Sequence, residues 1–367
     1  MDTLSFKESR EVALRNQGLH APFLTASDAL KRVVAVQSQY HESLLISLWA
    51  RFAEADKNEF ERKLWIEKEW IKTWTFRWTL HGFHRDDWPL IQAATGNENH
   101  QGILGWFINN RRISPLDLDR LNDRFVQTLS GGPLTREEMD PFVEEVRFVS
   151  PAWGMDMKSA AFLGLLACAG TKNGKALFAS RYQWIPDLSW PDLDPFEAKT
   201  ELLRRYLKGY APATLQDFAY WSALPAKTVQ QVYEAIATEC IAYSVAGGKS
   251  TFVLLKENDP PFLETSDLPA CIVLPKFDSL LIGYKNRDRW ISEDLSRKIH
   301  RPGGHVEAVY LLNGEIRGTW RKKSTGKTVT FQIFPFQEHR KREISKLTER
   351  FRALGRFLGY RNSQLRL

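Results

Sequence analysis

The chain has 367 residues, 43% of them hydrophobic and 12% aromatic, which is ample for a sizeable packed core and allows two or three domains. Its longest apolar stretch, Ala160 to Gly170, is too short to cross a bilayer, and its first residues, MDTLSFKESREV, lack the apolar region of a secretory signal, so the expected location is the cytoplasm. The net charge of +7 is uneven: residues 317–367 hold fourteen Lys or Arg against three Glu, a local +11, while residues 1–316 carry 37 basic and 41 acidic side chains, or −4.

A localised basic segment suits a polyanion, because neutralising phosphates releases condensed counterions; a solvated helix face would account for the charge equally well. Cys168, Cys240 and Cys271 are odd in number, far apart and in no C-x-x-C pair, which argues against a disulfide framework or a cysteine zinc site and fits a reducing compartment.

In chain order, FKESREVALRNQGL, SDALKRVVAVQSQ and NEFERKLWIEKEW read as helices, and IKTWTFRWTLHGFH is rich in Trp, Phe and Thr, as a strand should be. GGPLTREEMDPFVEE opens a helix after a Gly-Pro turn, SAAFLGLLACAG reads as a buried helix, and TKNGKALFASRYQWI as a second hairpin. The clearest motif is TLQDFAYWSALPAKTVQQVYEAI, Thr214 to Ile236: Leu215, Phe218 and Ala219 keep a helical period, SALPA turns, and Val229, Val232 and Ile236 resume it. IAYSVAGGKSTFVLL then alternates around Gly247-Gly248, a hairpin wing.

From Cys271 the pattern turns to strands in CIVLPKFDSLLIGY, GGHVEAVYLL and EIRGTWR, with Asn313-Gly314 as a hairpin turn; TWRKKSTGKTVTFQIF forms a further hairpin with Lys322, Lys323 and Lys327 around its tip. Ile344, Leu347, Phe351, Leu354 and Leu358 stripe a closing amphipathic helix. The expected architecture is α+β: three tandem winged-helix units, residues 1–112, 113–198 and 199–268, followed by a β-rich basic region with its closing helix, 269–367.

Several chemical signals fail on spacing. STGKT, Ser324 to Thr328, echoes a phosphate loop, but Arg321 stands where a glycine is required. His81 and His84 form H-x-x-H without the glutamate of a zinc hydrolase, so ordinary strand or surface histidines are expected and no metal site. No G-x-S-x-G elbow is present, and nothing in the sequence pattern assigns a catalytic role to carboxylate pairs such as Asp86-Asp87. The second helix of the helix-turn-helix exposes Lys227, Thr228, Gln230, Gln231 and Glu234, a thin basic complement for a major groove.

In VVAVQSQYHES, Val33 to Ser43, two glutamines end an apolar run. On a helix from Asp28 to Gln39, Gln37 shares the stripe of Leu30, Val33 and Val34 while Gln39 points away; if the chain unwinds near Gln37, the period-2 pleat returns both amides to one side. The first case is a single buried and satisfied amide, the second a convergent pair.

The glutamine pair after a helix, SLLISLWAR, the tandem helix-and-wing units, LPKFDSLLIGYKNRDR and NGEIRGTWR together resemble, over nearly the whole chain, the winged-helix DNA glycosylase superfamily. The nearest branch is the bacterial enzymes that unhook azinomycin-type interstrand crosslinks and excise N7-alkylated guanines. The resemblance implies three winged helices around a concave, positively charged DNA cleft, and a Q-x-Q catalytic motif aided by a β-hairpin. The motif falls on Gln37 and Gln39, with Ser38 at a middle position that is usually apolar; a sister branch has Asp at the second position. NGEIRGTWR and TWRKKSTGKTV are adjacent candidates for the hairpin, and charge favours the second.

Expected DNA contacts are Arg317, Arg321, Lys322, Lys323 and Lys327. The implied function is a monofunctional, monomeric glycosylase for double-stranded DNA carrying alkylated purines or crosslinks, without cofactor or metal, near the nucleoid, in DNA repair or genotoxin self-resistance. A winged-helix transcription regulator and a non-catalytic damage-binding protein are the alternatives.

Overall fold

The first helix, Phe6–Asn16, starts where Ser5 and Glu8 close a capping box: Ser5 Oγ accepts from the Glu8 N–H at 3.2 Å and Glu8 Oε2 accepts from the Ser5 N–H at 2.8 Å. The second, Ala26–Arg32, is capped by Thr25, whose hydroxyl accepts from the Asp28 N–H. These belong to a computed structural model that describes residues 3–110, 114–143, 154–245, 251–258 and 269–367. The chain packs as two units, one of Met1–Phe60, Leu203–Trp221 and Pro225–Leu367, the other of Glu61–Leu202 and Ser222–Leu224.

In the first unit the helix-turn-helix falls where its periodicity put it, as helices Leu215–Ser222 and Ala226–Ile236, the latter burying Val229, Val232 and Ile236. Strands Cys240–Val245 and Thr251–Leu255 then pair antiparallel, and Thr3–Leu4 adds a parallel third strand. The proposed turn at Gly247-Gly248 lies outside the described residues. Asp217 ties this helix pair to the segment after Gly283, accepting from the backbone N–H groups of Lys285 at 2.8 Å and Asn286 at 3.2 Å.

The same unit holds a five-stranded sheet in the order Cys271–Leu274, Ala308–Leu312, Glu315–Thr325, Thr328–Pro335, Asn362–Arg366, antiparallel except for the last, parallel pair. Asn313 and Gly314 both take positive φ, +49° and +78°, which suits the primed turn of a tight hairpin. Helix Lys341–Phe357 lays Leu347, Phe351 and Leu354 on one face of the sheet, where Phe351 meets Phe331 and Trp320 with ring centroids 5.0 and 5.5 Å apart. Gly355 allows that helix to sit close, since a Cβ there would lie 1.9 Å from Ser363 Oγ.

Two expectations for this region are corrected. Within CIVLPKFDSLLIGY only Cys271–Leu274 is a strand; Asp278 caps a short helix, Ser279–Ile282, by accepting from the Leu280 N–H at 2.9 Å. The amphipathic helix also does not close the sheet, because Asn362–Arg366 follows it as an edge strand.

In the second unit, strands lie in the order Leu80–His84, Trp70–Trp74, Leu166–Lys172, Lys175–Ser180, Leu134–Thr135. Their core includes Trp74, Ile103, Phe107, Leu121, Phe125, Met139 and Phe162. The expected buried helix SAAFLGLLACAG is two elements, the end of helix Met155–Phe162 and the start of strand Leu166–Lys172. A Schellman motif makes the break: Gly164 takes φ +72°, its N–H reaches Ala161 O at 3.0 Å, and the Leu165 N–H reaches Ala160 O at 2.9 Å. The last two residues of GGPLTREEMDPFVEE fall outside the described residues; its helix is Arg136–Val143.

Candidate active site

The glutamine pair is set by how its preceding helix stops. Helix Ala26–Arg32 ends, Val34 takes φ +63°, and the Ala35 N–H closes a three-residue turn onto Val33 O at 2.6 Å. A γ-turn with positive φ at a β-branched residue is rare and strained, on the order of 1–3 kcal/mol. Two packing devices hold it. Tyr210 Oη donates to Val33 O at 2.9 Å, and Gly209 packs so closely that a Cβ there would lie 2.2 Å from Arg32 O.

Beyond the turn the chain is extended at Val36–Gln37. The helix therefore ends at Arg32 and the motif lies on unwound chain, but its two amides differ in burial and do not form the expected convergent pair. Gln37 is 6% exposed, Ser38 is fully buried, and Gln39 is exposed. Ser38 Oγ has no hydrogen-bond partner among the described residues.

Tyr40 follows Gln39 and precedes helix His41–Trp49. Its half-exposed ring stacks on Phe277, with centroids 6.0 Å apart and 22° between planes, and Lys276 Nζ lies 5.7 Å from its centroid. Phe277 has φ +58°, a second strained non-glycine position. The anchor beneath it is ionic: Asp278 Oδ1 accepts from Arg51 at 2.8 Å, and Oδ2 from Arg51 at 2.9 Å and Ser47 Oγ at 2.7 Å. Arg51 also donates to Gln17 Oε1 at 2.8 Å and to Ser47 O at 2.9 Å, and both members of the pair are 0% exposed. Helix His41–Trp49, which carries Ser47, and the Pro275–Asp278 loop are thereby locked together. Sequence reasoning quoted LPKFD as part of a resemblance but missed the Arg51 partner and Tyr40.

The pleat divides the basic hairpin. Register pairs Arg321 with Gln332, Lys323 with Thr330 and Thr325 with Thr328, and on the edge strand Thr330 with Gln364 and Gln332 with Arg366. Arg321, Lys322, Lys323, Thr325, Thr328, Thr330, Gln332 and Arg366 line one shallow pocket of about 350 Å³ whose wall contains no carboxylate. Lys327 is exposed in the turn.

Lys322 lies between Arg321 and Lys323 in the alternation, and its ammonium meets Glu42 at 2.6 Å. Arg317 is mostly covered and faces Glu343 at 3.7 Å. Arg321 also pairs with Glu307 at 2.8 Å, where Lys276 and Arg301 both approach at 3.3 Å. Burial pushes the Glu307 carboxyl up, but the Arg321 hydrogen bond and the Lys276 charge outweigh it and hold it below the usual carboxylate range.

His81 and His84 both lie on strand Leu80–His84. His81 is buried, and desolvation with the Arg77 charge pushes its pKa down to about 3 against the Thr79 carbonyl contact, so it is neutral. Among the described residues no group of three or more His, Cys, Asp or Glu side chains could hold a metal ion, and no helix is long and apolar enough to cross a membrane.

A neutral amide motif on strained backbone, in a unit that also carries a basic sheet face and a helix-turn-helix with a hairpin, suits a protein that handles DNA. Comparison with known proteins gives the class. The fold matches that of Streptomyces sahachiroi DNA glycosylase AlkZ with a TM-score of 0.84 at 21% identity, covering 99% of each chain. An interstrand DNA cross-link repair glycosylase of Streptomyces sahachiroi is 25% identical over 311 residues, 81% of this chain and 82% of the relative. The family model for DNA glycosylase AlkZ-like proteins matches residues 30–357, and the chain belongs to that family. It is a DNA glycosylase.

Proposed function

We propose that this glycosylase hydrolyses the N-glycosidic bond of N7-alkylated purines and unhooks interstrand crosslinks, with Gln37 and Gln39 at the reacting sugar. An N7-alkylated guanine is already cationic and departs without a strong general acid. What remains is to stabilise an oxocarbenium-like sugar and to hold water at C1′. A glutamine carbonyl accepts from that water while its NH₂ fixes the orientation, and no charged base is needed.

The observation that carries this reading is the strained turn at Val34, which leads directly into Gln37. Backbone kept in a sparsely populated region by its surroundings concentrates at functional sites, where it pre-organises reacting groups. The crosslink half of the proposal draws on the relative named for interstrand cross-link repair.

Lys323 and Lys327 supply the first phosphate contacts, beside a face whose Thr and Gln side chains add neutral donors. Arg321, Lys322 and Arg317 join by exchanging Glu307, Glu42 and Glu343 for phosphate. The helix pairs and hairpins act as winged helices on the duplex. A crosslinked guanine is tethered to the opposite strand and cannot swing freely, so the sugar is approached through the groove.

The test is incubation with one duplex containing N7-methylguanine and another containing an N7-linked crosslink, each then treated with alkali. Wild type leaves an alkali-labile abasic site, whereas Gln37→Ala with Gln39→Ala folds but does not. Equal base release by the double variant refutes the assignment. Lys323→Glu and Lys327→Glu should each flatten the salt dependence of binding by roughly one ion; an unchanged slope would remove the hairpin from the phosphate contacts.

A further inference from the structure

Tyr40, Glu42, Ile46, Pro275, Lys276 and Trp320 are among the residues that line a groove of about 290 Å³, which shares Arg321 and Lys322 with the basic sheet pocket. That size is at the low end of small-molecule sites. Three features point to an occupant. Tyr40 keeps a large aromatic ring 46% exposed immediately after Gln39. Its position is enforced, since the ring rests on Phe277, which is in a left-handed conformation and precedes the buried Asp278 anchor. The rim carries Lys276 and Arg321 with side chains 38% and 53% exposed. Around the groove, four cations, Lys276, Arg301, Arg321 and Lys322, face two carboxylates, Glu42 and Glu307, leaving positive charge over.

From this we infer that the groove takes one unstacked nucleotide of the substrate DNA, its base against the Tyr40 ring and its phosphate against Lys276 and Arg321. A flat aromatic face beside exposed cations is the chemistry that receives single nucleotides without sequence preference. Tyr40 is then a positioning residue: it fixes one nucleotide of the strand beside Gln39 and so sets where the reacting sugar falls. The inference rests on the reading that the substrate strand reaches Gln37 and Gln39, and deepens it by naming what holds that strand.

The experiment compares the affinity of the protein for a fully paired duplex and for the same duplex with one unpaired adenine, at fixed salt, by fluorescence anisotropy. Wild type should prefer the bulged duplex by roughly tenfold, as expected for one base stacked on an aromatic ring. Tyr40→Phe should keep the preference. Tyr40→Ala and Tyr40→Leu should lose it with unchanged affinity for the paired duplex, Tyr40→Leu retaining apolar contact with Phe277 so that folding is preserved.

The inference is overturned if wild type shows no preference or if Tyr40→Leu keeps it. Base release from N7-methylguanine duplex, measured alongside, separates the two proposals. Release without a Tyr40-dependent preference removes the nucleotide groove and leaves the catalytic reading standing. A Tyr40-dependent preference without release does the reverse.

Discussion

Replacing Asp278 by alanine should be the most damaging single change in the first unit. The substitution removes four hydrogen bonds at once: two from Arg51, one from Ser47 Oγ and one from the Leu280 N–H. It also strands the Arg51 guanidinium at 0% exposure, with only Gln17 Oε1 and the Ser47 groups left as acceptors. Removing one member of a buried ion pair typically costs about 3–5 kcal/mol, because the remaining charge is desolvated and unbalanced. Urea unfolding should show a loss in that range. Arg51→Met combined with Asp278→Leu should recover most of it, since two apolar residues leave no charge to strand. A loss below about 1 kcal/mol for Asp278→Ala, or no recovery in the double variant, would refute the view that this pair anchors the Pro275–Asp278 loop.

Gly209→Ala would push a methyl group to 2.2 Å from Arg32 O, a backbone atom that cannot step aside, so base release should fall at least tenfold and stability by about 1–3 kcal/mol; wild-type turnover would show that the turn before Gln37 tolerates displacement. Ser38→Ala removes a buried hydroxyl with no partner among the described residues, and thermal melting should show a gain of up to about 1 kcal/mol; a clear loss would mean that the hydroxyl is paired in solution. His81 is neutral when folded with a pKa of about 3 against an ordinary 6.5, so the unfolded state binds the extra proton between those values. Its contribution to stability is complete above pH 6.5 and declines as pH falls toward 3, at about 1.4 kcal/mol per pH unit. His81→Phe should lessen the acid sensitivity of unfolding by one proton over that window, and an unchanged pH slope would contradict the burial argument.

The parts of this fold that could be read from the sequence were those whose signal is local. Val229, Val232 and Ile236 carry a helical period against a polar face, and Asn313-Gly314 names its own turn. SAAFLGLLACAG is apolar or small on every side, so neither period shows, and only Gly164 hinted that helix gives way to strand. The edge strand Asn362–Arg366 alternates without a hydrophobic face, since its stability comes from pairing with Thr328–Pro335. The arrest of the helix at Arg32 was not legible either, because a positive φ is announced by glycine or asparagine and Val34 is neither. The Arg51–Asp278 pair joins residues 227 positions apart, a relation that no window of sequence contains.

On the proposed role of Gln37 and Gln39, that last pair and the turn at Val34 account for two of the positive-φ non-glycine positions among the described residues, Phe277 and Val34. A neutral amide has no charge with which to draw water or a sugar toward itself, so its effectiveness depends on being held in position before the substrate arrives. An activating charge tolerates some misplacement because its field falls off slowly, whereas a hydrogen bond from an amide is lost within about an ångström. Val34 and Phe277 stand on either side of the requirement. The first turns the chain from helix into the extended segment that holds Gln37, and the second fixes the floor under Tyr40, the residue next to Gln39. Each is secured by a buried polar contact that does no chemistry, Tyr210 on Val33 O and Arg51 on Asp278. Loosening either anchor should therefore slow base release without altering the charge of any group at the site, so the pH profile of the remaining activity should keep its wild-type shape as the rate falls.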